Sequence, residues 1–218
     1  VTLSAINVSS GNTSGGSTLV IRNNTIDLRD SDPSISGIHL GLGFARFTGT
    51  FFGTNTKIAN NHIMGGKYGM RFYRYRGPAV ENNIIEGADT GIFLSNPYFS
   101  PTSKFMFRNN TFKDTNIALH FREVYWEREP REYYTRQTEK ELVWEGPTIS
   151  NINFINVETA VLLEDFNSDL TIPISDSYWE TTDLEAIGNL ITDNADDYTL
   201  GTVSVVNPVS SLIDIGVD

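Results

Sequence analysis

A six-residue pattern, apolar-x-Asn-Asn-x-apolar, constrains the fold of this chain more than any other feature of its sequence. Good copies occupy residues 21–26, 58–63, 80–85 and 107–112, and degenerate copies occupy residues 149–154 and 174–179. A second motif, an apolar-x-apolar triplet behind a glycine or alanine, begins 12 residues after the first apolar residue of four copies, at Met70, Ile92, Leu119 and Val161. A double motif with a fixed internal distance indicates a structural repeat.

The distance between copies predicts the architecture. Uninterrupted copies recur every 22 to 27 residues, and each offers short alternating strands without helical periodicity. A unit this small cannot bury its own apolar face, so the units are expected to stack, with strands pairing between neighbours. The sequence therefore predicts an all-β parallel β-helix, a solenoid of about six coils. These coils begin near Thr18, Thr54, Pro78, Lys104, Pro147 and Asp169.

The asparagine pairs are interpreted as corners of the coils. Asparagine tolerates the left-handed backbone conformation that a tight turn requires. Amides stacked about 4.8 Å apart can also hydrogen-bond to one another as a ladder. We therefore assign a structural role to both asparagines of each pair, and a surface position in the corner region to His62.

These repeats resemble the right-handed parallel β-helix superfamily, which includes pectate-lyase-like proteins, whose coils carry such corners. The closing stretch, residues 176–208, is similar to the end of many secreted bacterial and archaeal members, although Glu180 replaces their usual glycine. The resemblance implies a right-handed solenoid and an extracellular or cell-surface location in a bacterium or archaeon. It implies no single function, because the superfamily contains lyases, hydrolases, epimerases, adhesins and stalks.

The chain divides into three predicted parts. Residues 1–17 form an N-terminal strand and flexible loop of an incomplete coil, residues 18–180 form the coils, and residues 181–218 form a C-terminal cap. Insertions at 41–53 and 123–146 interrupt the coils. The cap is expected to contain a short helix over residues 183–190, with Thr182 at its N-terminus. No matching cap precedes the first coil, which favours a module within a larger chain or assembly.

Composition excludes several functions. A net charge of −11 argues against nucleic acid as a partner, because proteins that bind it present basic surfaces. The absence of cysteine excludes disulfides and thiolate chemistry. The sequence contains no apolar run of 18 residues, so no membrane-spanning helix is expected.

Strand alternation predicts which side chains point outward after the small residue. Two columns along the stack contain the candidate ligand-binding residues His39, Arg71, Tyr73, Phe93, His120, Arg122 and Glu164, which we call the outer strip. Arginine binds carboxylate or sulfate bidentately, and aromatic rings offer flat faces to sugars. The leading hypothesis is a carbohydrate-directed module that binds an extended, acidic polysaccharide along the outer strip.

Two alternatives remain open, and the sequence leaves undecided whether the protein is an enzyme. A polysaccharide lyase acting on a uronate would use His120 or Tyr73 as base and Arg71 or Arg122 to neutralise the carboxylate. Hydrolysis requires two carboxyl groups, and only Glu164 lies on the strip, so a hydrolase is less well supported. The structural alternative is a stalk or adhesin segment whose coils act as spacers.

Two further groups have competing interpretations. Asp193, Asp196 and Asp197 could bind Ca²⁺, but a capping turn is favoured, so no cofactor is expected. The aromatic residues of the second insertion would either form a sugar platform or pack the insertion onto the stack, and packing is favoured. They include Trp126, Tyr133 and Tyr134.

Overall fold

The structure is a computed structural model that describes residues 4–10, 19–42, 56–73, 77–95, 105–122, 147–165 and 170–216. All 19 strands of these described residues lie in three parallel sheets. Sheet A contains β1 (Ser4–Ser10), β4 (Ser36–Leu42), β7 (Tyr68–Tyr73), β10 (Thr90–Ser95), β13 (Ile117–Arg122), β16 (Thr159–Glu164) and β18 (Ile191–Thr192). Sheet B contains β2 (Val20–Arg22), β5 (Lys57–Ala59), β8 (Ala79–Glu81), β11 (Met106–Arg108), β14 (Thr148–Ser150), β17 (Thr171–Ser175) and β19 (Thr202–Val206). Sheet C contains β3 (Thr25–Asp27), β6 (His62–Met64), β9 (Ile84–Glu86), β12 (Thr111–Lys113) and β15 (Asn153–Ile155).

The register between coils follows the repeat. Each strand pairs in parallel with the equivalent strand of the neighbouring coil, so the triplets that begin at Met70, Ile92, Leu119 and Val161 lie directly above one another. Six coils begin at β2, β5, β8, β11, β14 and β17, and β1 adds a strand in front of β4. This arrangement confirms the predicted parallel β-helix.

The core fills the inside of the coils with vertical stacks of apolar side chains. Phe112 stacks on Phe154 at 5.9 Å between ring centroids, and Phe154 stacks on Trp179 at 4.4 Å. Burial of each such side chain contributes about 1.5–3 kcal/mol. This packing requires glycine before the triplet at Ile92, because a Cβ at Gly91 would lie only 2.5 Å from Phe112 Cδ1 and 2.6 Å from the Ala118 carbonyl oxygen.

The two asparagines of each corner have different structural roles. The first has a left-handed backbone, with φ of 54° at both Asn60 and Asn82, and Asn151 and Asp176 repeat this conformation in later coils. Asparagine and aspartate adopt it at lower cost than most residues. The first asparagine therefore makes the turn that joins sheet B to sheet C.

The second asparagine of each corner forms a buried ladder. Asn61 Nδ2 donates to Asn83 Oδ1 at 2.9 Å, and Asn83 Nδ2 donates to Asn110 Oδ1 at 2.9 Å. The backbone N–H groups of Asn61 and Asn83 donate to the same two oxygens at 3.0 Å. All three side chains are fully buried, and the ladder stops at Ile152, whose N–H donates instead to Ser177 Oγ.

The C-terminal cap corrects one prediction. Helix α1 covers Leu184–Gly188, and the Asp183 side chain caps it by accepting a hydrogen bond from the Glu185 N–H at 3.0 Å. Thr182 was the wrong cap, since Asp183 is the residue directly before the helix and its carboxylate reaches that N–H group. The helix is also shorter than predicted, because β18 begins at Ile191 and returns the chain to sheet A.

Glu180 forms a left-handed turn at the position where similar β-helix proteins usually carry glycine. Glu180 adopts a φ of 62°, and its Oε2 accepts a hydrogen bond from the Asn156 N–H at 2.8 Å. This bond links the corner of the last coil to the corner before it. The replacement therefore adds a contact between coils at a position whose backbone favours glycine.

Most insertion residues lie outside the described part of the chain. Gly41 and Leu42 continue β4, whereas residues 43–55 and 123–146, including Trp126, Tyr133 and Tyr134, are not described. The described segments contain no helix long and apolar enough to cross a membrane.

Replacing Asn83 by leucine should lower the free energy of unfolding by about 2–5 kcal/mol. The substitution leaves the Asn61 N–H without its buried acceptor, while Asn61 Nδ2 keeps the carbonyls of Ile21 and Ala59. It also removes the Nδ2 donor to Asn110 Oδ1 and to the carbonyls of Ile58 and Glu81. Unpaired buried groups cost about 1–3 kcal/mol each. Urea denaturation followed by circular dichroism measures the effect.

The matched control is Asn82→Gly, one residue away at the same corner. Glycine accepts a φ of 54° without strain, so this variant should change stability by less than about 1 kcal/mol. Equal losses in the two variants would contradict the separate roles of the two asparagines.

Candidate functional site

The outer strip exists as two straight columns on sheet A. In the first column His39, Arg71, Phe93, His120 and Leu162 are direct register partners from coil to coil. In the second column Gly41, Tyr73, Ser95, Arg122 and Glu164 are partners in the same way. Neighbours in a column lie about 4.8 Å apart. The structure therefore places all seven predicted site residues on one sheet face, while their binding role remains a prediction.

Aromatic and cationic side chains pack against one another along the first column. The ring of Tyr68 stacks on Phe93 at 5.0 Å, and the Arg71 guanidinium lies 5.5 Å from the Tyr68 centroid and 5.9 Å from the Phe93 centroid. His120 meets the other side of Phe93 at 4.8 Å in an edge orientation. These contacts hold the guanidinium plane of Arg71 in place through cation–π attraction.

Tyr68 belongs to the site but was not predicted from the sequence. It begins β7, directly before Gly69, and its side chain turns toward the outer face rather than the core. Strict alternation from Arg71 assigns residue 68 to the inner side of the strand, so the sequence offered no signal for this position.

The ring of Phe93 packs beneath the exposed side chains of the outer strip. Its side chain is only 6% exposed although it belongs to an outward column. Its ring packs on Tyr68, Arg71 and His120. The ring therefore positions the polar groups around it and presents little surface of its own.

Glu164 organises the far end of the strip. Its Oε2 lies 2.8 Å from His120 Nε2, and its Oε1 lies 3.3 Å from Arg122 Nε. Burial lowers the pKa of His120, and the hydrogen bond with Glu164 offsets this effect only in part. A neutral His120 that faces a carboxylate must donate from Nε2, which leaves the lone pair on Nδ1.

His39 occupies the other end of the first column. Burial lowers its pKa, and the positive charge of Arg71 acts in the same direction. Gly41 gives the imidazole room, because a Cβ at residue 41 would lie 2.8 Å from His39 Nε2. Among the described residues, none hydrogen-bonds to the buried Nδ1 atom of His39.

The candidate calcium residues use their carboxylates in a turn. Asp193 is 7% exposed and accepts hydrogen bonds from the N–H groups of Ala195 at 2.9 Å and Val203 at 2.6 Å. Asp197 accepts from Thr199 N–H and Oγ1, and Asp196 accepts from the Asp193 N–H. In the parts of the chain that are described, no three histidine or acidic side chains are grouped to hold a metal ion.

His62 lies away from the outer strip. It belongs to β6 in sheet C, and its Nε2 is 3.4 Å from Glu86 Oε2. Two of the three histidines of the chain therefore lie on sheet A, and the third lies on a different face of the solenoid.

A family model described as the right-handed beta helix region matches residues 3–124. This chain belongs to the right-handed β-helix family. No curated protein and no solved structure matches the sequence. As a β-helix, the protein presents flat sheet faces of fixed spacing, and its chemistry must come from the side chains on those faces.

Acid should destabilise this β-helix through His120. The unfolded side chain titrates near ~6.5, and burial lowers the pKa in the folded protein. Between these pKa values the unfolded state binds more protons, so the free energy of unfolding falls as the pH decreases through about 6.5 and levels off below the folded pKa.

Urea denaturation at pH 7.5 and pH 5.5 measures this dependence in the wild type and in His120→Gln, which retains a donor for Glu164. The variant should lose less stability than the wild type between the two pH values. Identical losses in both proteins would show that His120 does not contribute to the pH dependence.

Proposed function

We propose that this β-helix is an extracellular carbohydrate-directed module that binds an extended, acidic polysaccharide along the outer strip. The observation that carries the proposal is the continuous contact of Tyr68, Arg71, Phe93 and His120, with Arg122 beside it in the second column. Two arginines and several aromatic rings thus lie on one sheet face that spans several coils.

The charges on this face favour an anionic ligand. Among the described side chains of the outer strip, Arg71 and Arg122 outnumber the carboxylate of Glu164. Burial lowers the pKa of His120, so its imidazole is neutral near pH 7 and is not counted as a cation. Lys67 adds a third cation, with Nζ 5.5 Å from the Tyr68 ring. This local excess of positive charge contrasts with the net charge of −11 on the whole chain. A polymer of uronates or sulfated sugars fits such a surface, because guanidinium groups bind carboxylate and sulfate through paired hydrogen bonds.

The geometry of the solenoid also favours an extended ligand. The parallel register repeats each outward position about every 4.8 Å, so a polymer can meet equivalent positions of successive coils. Arg71 is held by two aromatic rings, which lowers the entropy that the side chain loses on binding.

Replacing Arg71 and Arg122 together by alanine should weaken binding of acidic glycans at least tenfold, which corresponds to about 1.4 kcal/mol. The measurement is a glycan-array screen followed by titration calorimetry with alginate, pectate and a glycosaminoglycan, with dextran as an uncharged comparison.

The matched control is Arg22→Ala, which removes an exposed arginine from sheet B. It should bind as the wild type does, while added salt should weaken wild-type binding. Equal binding by the double variant and the wild type would refute the outer strip as the site.

A second candidate function, polysaccharide lyase, is favoured by the 2.8 Å hydrogen bond between His120 and Glu164. In β-elimination a base removes the proton at C5 of a uronate, the C4–O bond breaks, a C4=C5 double bond forms, and the leaving oxygen takes up a proton. The Nδ1 atom of His120 would act as the base, Glu164 would orient the ring, and Arg122 or Arg71 would neutralise the uronate carboxylate.

The lyase hypothesis predicts new ultraviolet absorbance from unsaturated products on at least one uronate polymer. His120→Gln should lower kcat by about 10²-fold or more while binding is retained, because a general base typically contributes 10²–10⁴-fold. The acid limb of the wild-type pH–rate profile should lie below ~6.5, the ordinary histidine value, since burial lowers the pKa of His120. If no absorbance change occurs with alginate, pectate or glycosaminoglycans, the lyase hypothesis is refuted. The proposal that the protein binds a polysaccharide is not affected by that result.

A further inference from the structure

The three histidines of the chain differ in their acidic partners. His120 Nε2 lies 2.8 Å from Glu164 Oε2, and His62 Nε2 lies 3.4 Å from Glu86 Oε2. His39 has no acidic partner among the described residues, and the charged group that acts on it is Arg71. A positive charge on the His39 imidazole would therefore have no counter-charge within the described part of the protein.

The strands on both sides of β4 supply no carboxylate to His39. Its register partner on β1 is Asn7, and its register partner on β7 is Arg71. Tyr73 is the partner of Gly41 and follows Arg71 by two residues on the same outward side of β7. The side chains beside the imidazole on sheet A are thus an amide, a guanidinium and a phenol.

Gly41 allows the imidazole of His39 to lie along the strip. Residue 41 is two positions after His39 on β4 and belongs to the second outward column. A Cβ at this position would lie 2.8 Å from His39 Nε2 and 3.4 Å from Tyr73 Cβ. The Nε2 edge of the ring therefore occupies the outward space over Gly41, whereas Nδ1 is buried. One nitrogen of the ring is thus directed toward the face on which a ligand is expected to bind.

The charges of the connecting segments favour an anionic group at the N-terminal end of the outer strip. The segments that follow β1, β4, β7 and β10 contain no Asp or Glu, and their charged residues are Arg46, Arg74, Arg76 and Lys104. The segments that follow β13 and β16 contain acidic residues, including Glu123 and Asp165. The distribution of charge along the chain therefore favours an anion near His39 and Arg71 over one near Glu164.

We propose that His39 binds an acidic group of the polysaccharide and takes up a proton from solvent when it does so. The imidazolium pairs with a carboxylate or sulfate of the ligand, which supplies the counter-charge, and Arg71 lies beside this pair. No covalent bond forms or breaks. This subsite rests on the proposed function, and it adds to that function a defined anion position and a dependence on pH.

The direction of the pH dependence follows from the free and bound states of His39. Burial lowers the pKa of His39 in the free protein, and the charge of Arg71 lowers it further. An anionic group beside the ring favours the imidazolium and raises this pKa in the complex. Between the two pKa values the complex holds more protons than the free protein, so the affinity increases as the pH falls through this range.

An NMR titration of the imidazole Hε1 signals tests the proposal at His39 itself. Single glutamine variants assign the signals of the three histidines. In the free protein His39 should titrate below about 6.5. Saturating oligomers of alginate, pectate or a glycosaminoglycan should raise its pKa by about 0.5, which corresponds to the roughly threefold effect of a partly exposed ion pair. The signal of His62, which lies on sheet C, should not respond to the oligomers.

Titration calorimetry with the same oligomers at pH 7.5 and pH 5.5 tests the affinity. The wild type should bind about threefold more tightly at pH 5.5, with proton uptake measured from the dependence of the enthalpy on the buffer. His39→Gln retains a polar side chain that does not titrate, so it should bind with nearly equal affinity at both pH values. His62→Gln is the matched control on sheet C and should keep the pH dependence of the wild type.

Gly41→Ala tests the position of the ring without removing the imidazole. The added Cβ would meet His39 Nε2 at 2.8 Å, so the ring must turn away from residue 41. This variant should lose most of the gain in affinity at pH 5.5, although it retains Arg71. A pH dependence equal to that of the wild type would contradict the subsite over Gly41.

The measurements distinguish failure of this subsite from failure of the proposed function. If a glycan binds equally at both pH values and leaves the His39 signal unchanged, the subsite is refuted and the proposed function is not. The subsite is also refuted if the pH dependence disappears in His120→Gln but not in His39→Gln. If no glycan binds, the proposed function is refuted, and inorganic sulfate compared with chloride at equal ionic strength decides the subsite. A sulfate-dependent rise in the pKa of His39 would support an anion subsite there, and no rise would refute it.

Discussion

The structure depends on the pairing of buried amides at one corner of every coil. An asparagine side chain that is fully buried must satisfy two donors and an oxygen. Asn61 and Asn83 do so with the asparagine oxygen of the next coil and with backbone carbonyls, whereas Asn110 Nδ2 donates to the carbonyls of Val80 and Arg108. A one-residue slip of a coil would break these bonds and turn apolar side chains outward. The ladder therefore fixes the register that apolar packing alone would leave less strictly defined.

The same register creates the outer strip. Once the corner fixes one residue of each coil, strand alternation fixes which side chains point out of sheet A, so residues far apart in sequence become neighbours. His120 and Glu164 are 44 positions apart, yet a 2.8 Å hydrogen bond joins them. Residues 123–146 come between them in the sequence, and β13 and β16 nevertheless pair directly. A solenoid can thus accept insertions without losing the alignment of its faces.

Periodicity made the fold and the columns of the site predictable from the sequence, whereas features that depend on side-chain orientation were not predictable. The offset of 12 residues from corner to triplet placed Arg71 and His120 in one column, and the parallel pairing has that register. Tyr68 was missed because strict alternation assigns it no contact with Phe93, whereas the ring turns outward ahead of Gly69. The helix cap was assigned one residue too early, since Thr182 and Asp183 are both good capping residues and only the backbone path separates them.

The direction of the ladder makes the two ends of the solenoid chemically different. Because each amide donates toward the C-terminal end of the stack, the bonds of successive rungs align and polarise one another. Toward the C-terminal coils the ladder passes from Asn110 to Ile152 and the hydroxyl of Ser177. Trp179 and Ile187 are buried beyond this point, and Asp193 accepts a hydrogen bond from the Val203 N–H. The polarity of one buried amide column therefore distinguishes the two sides of each coil that it crosses.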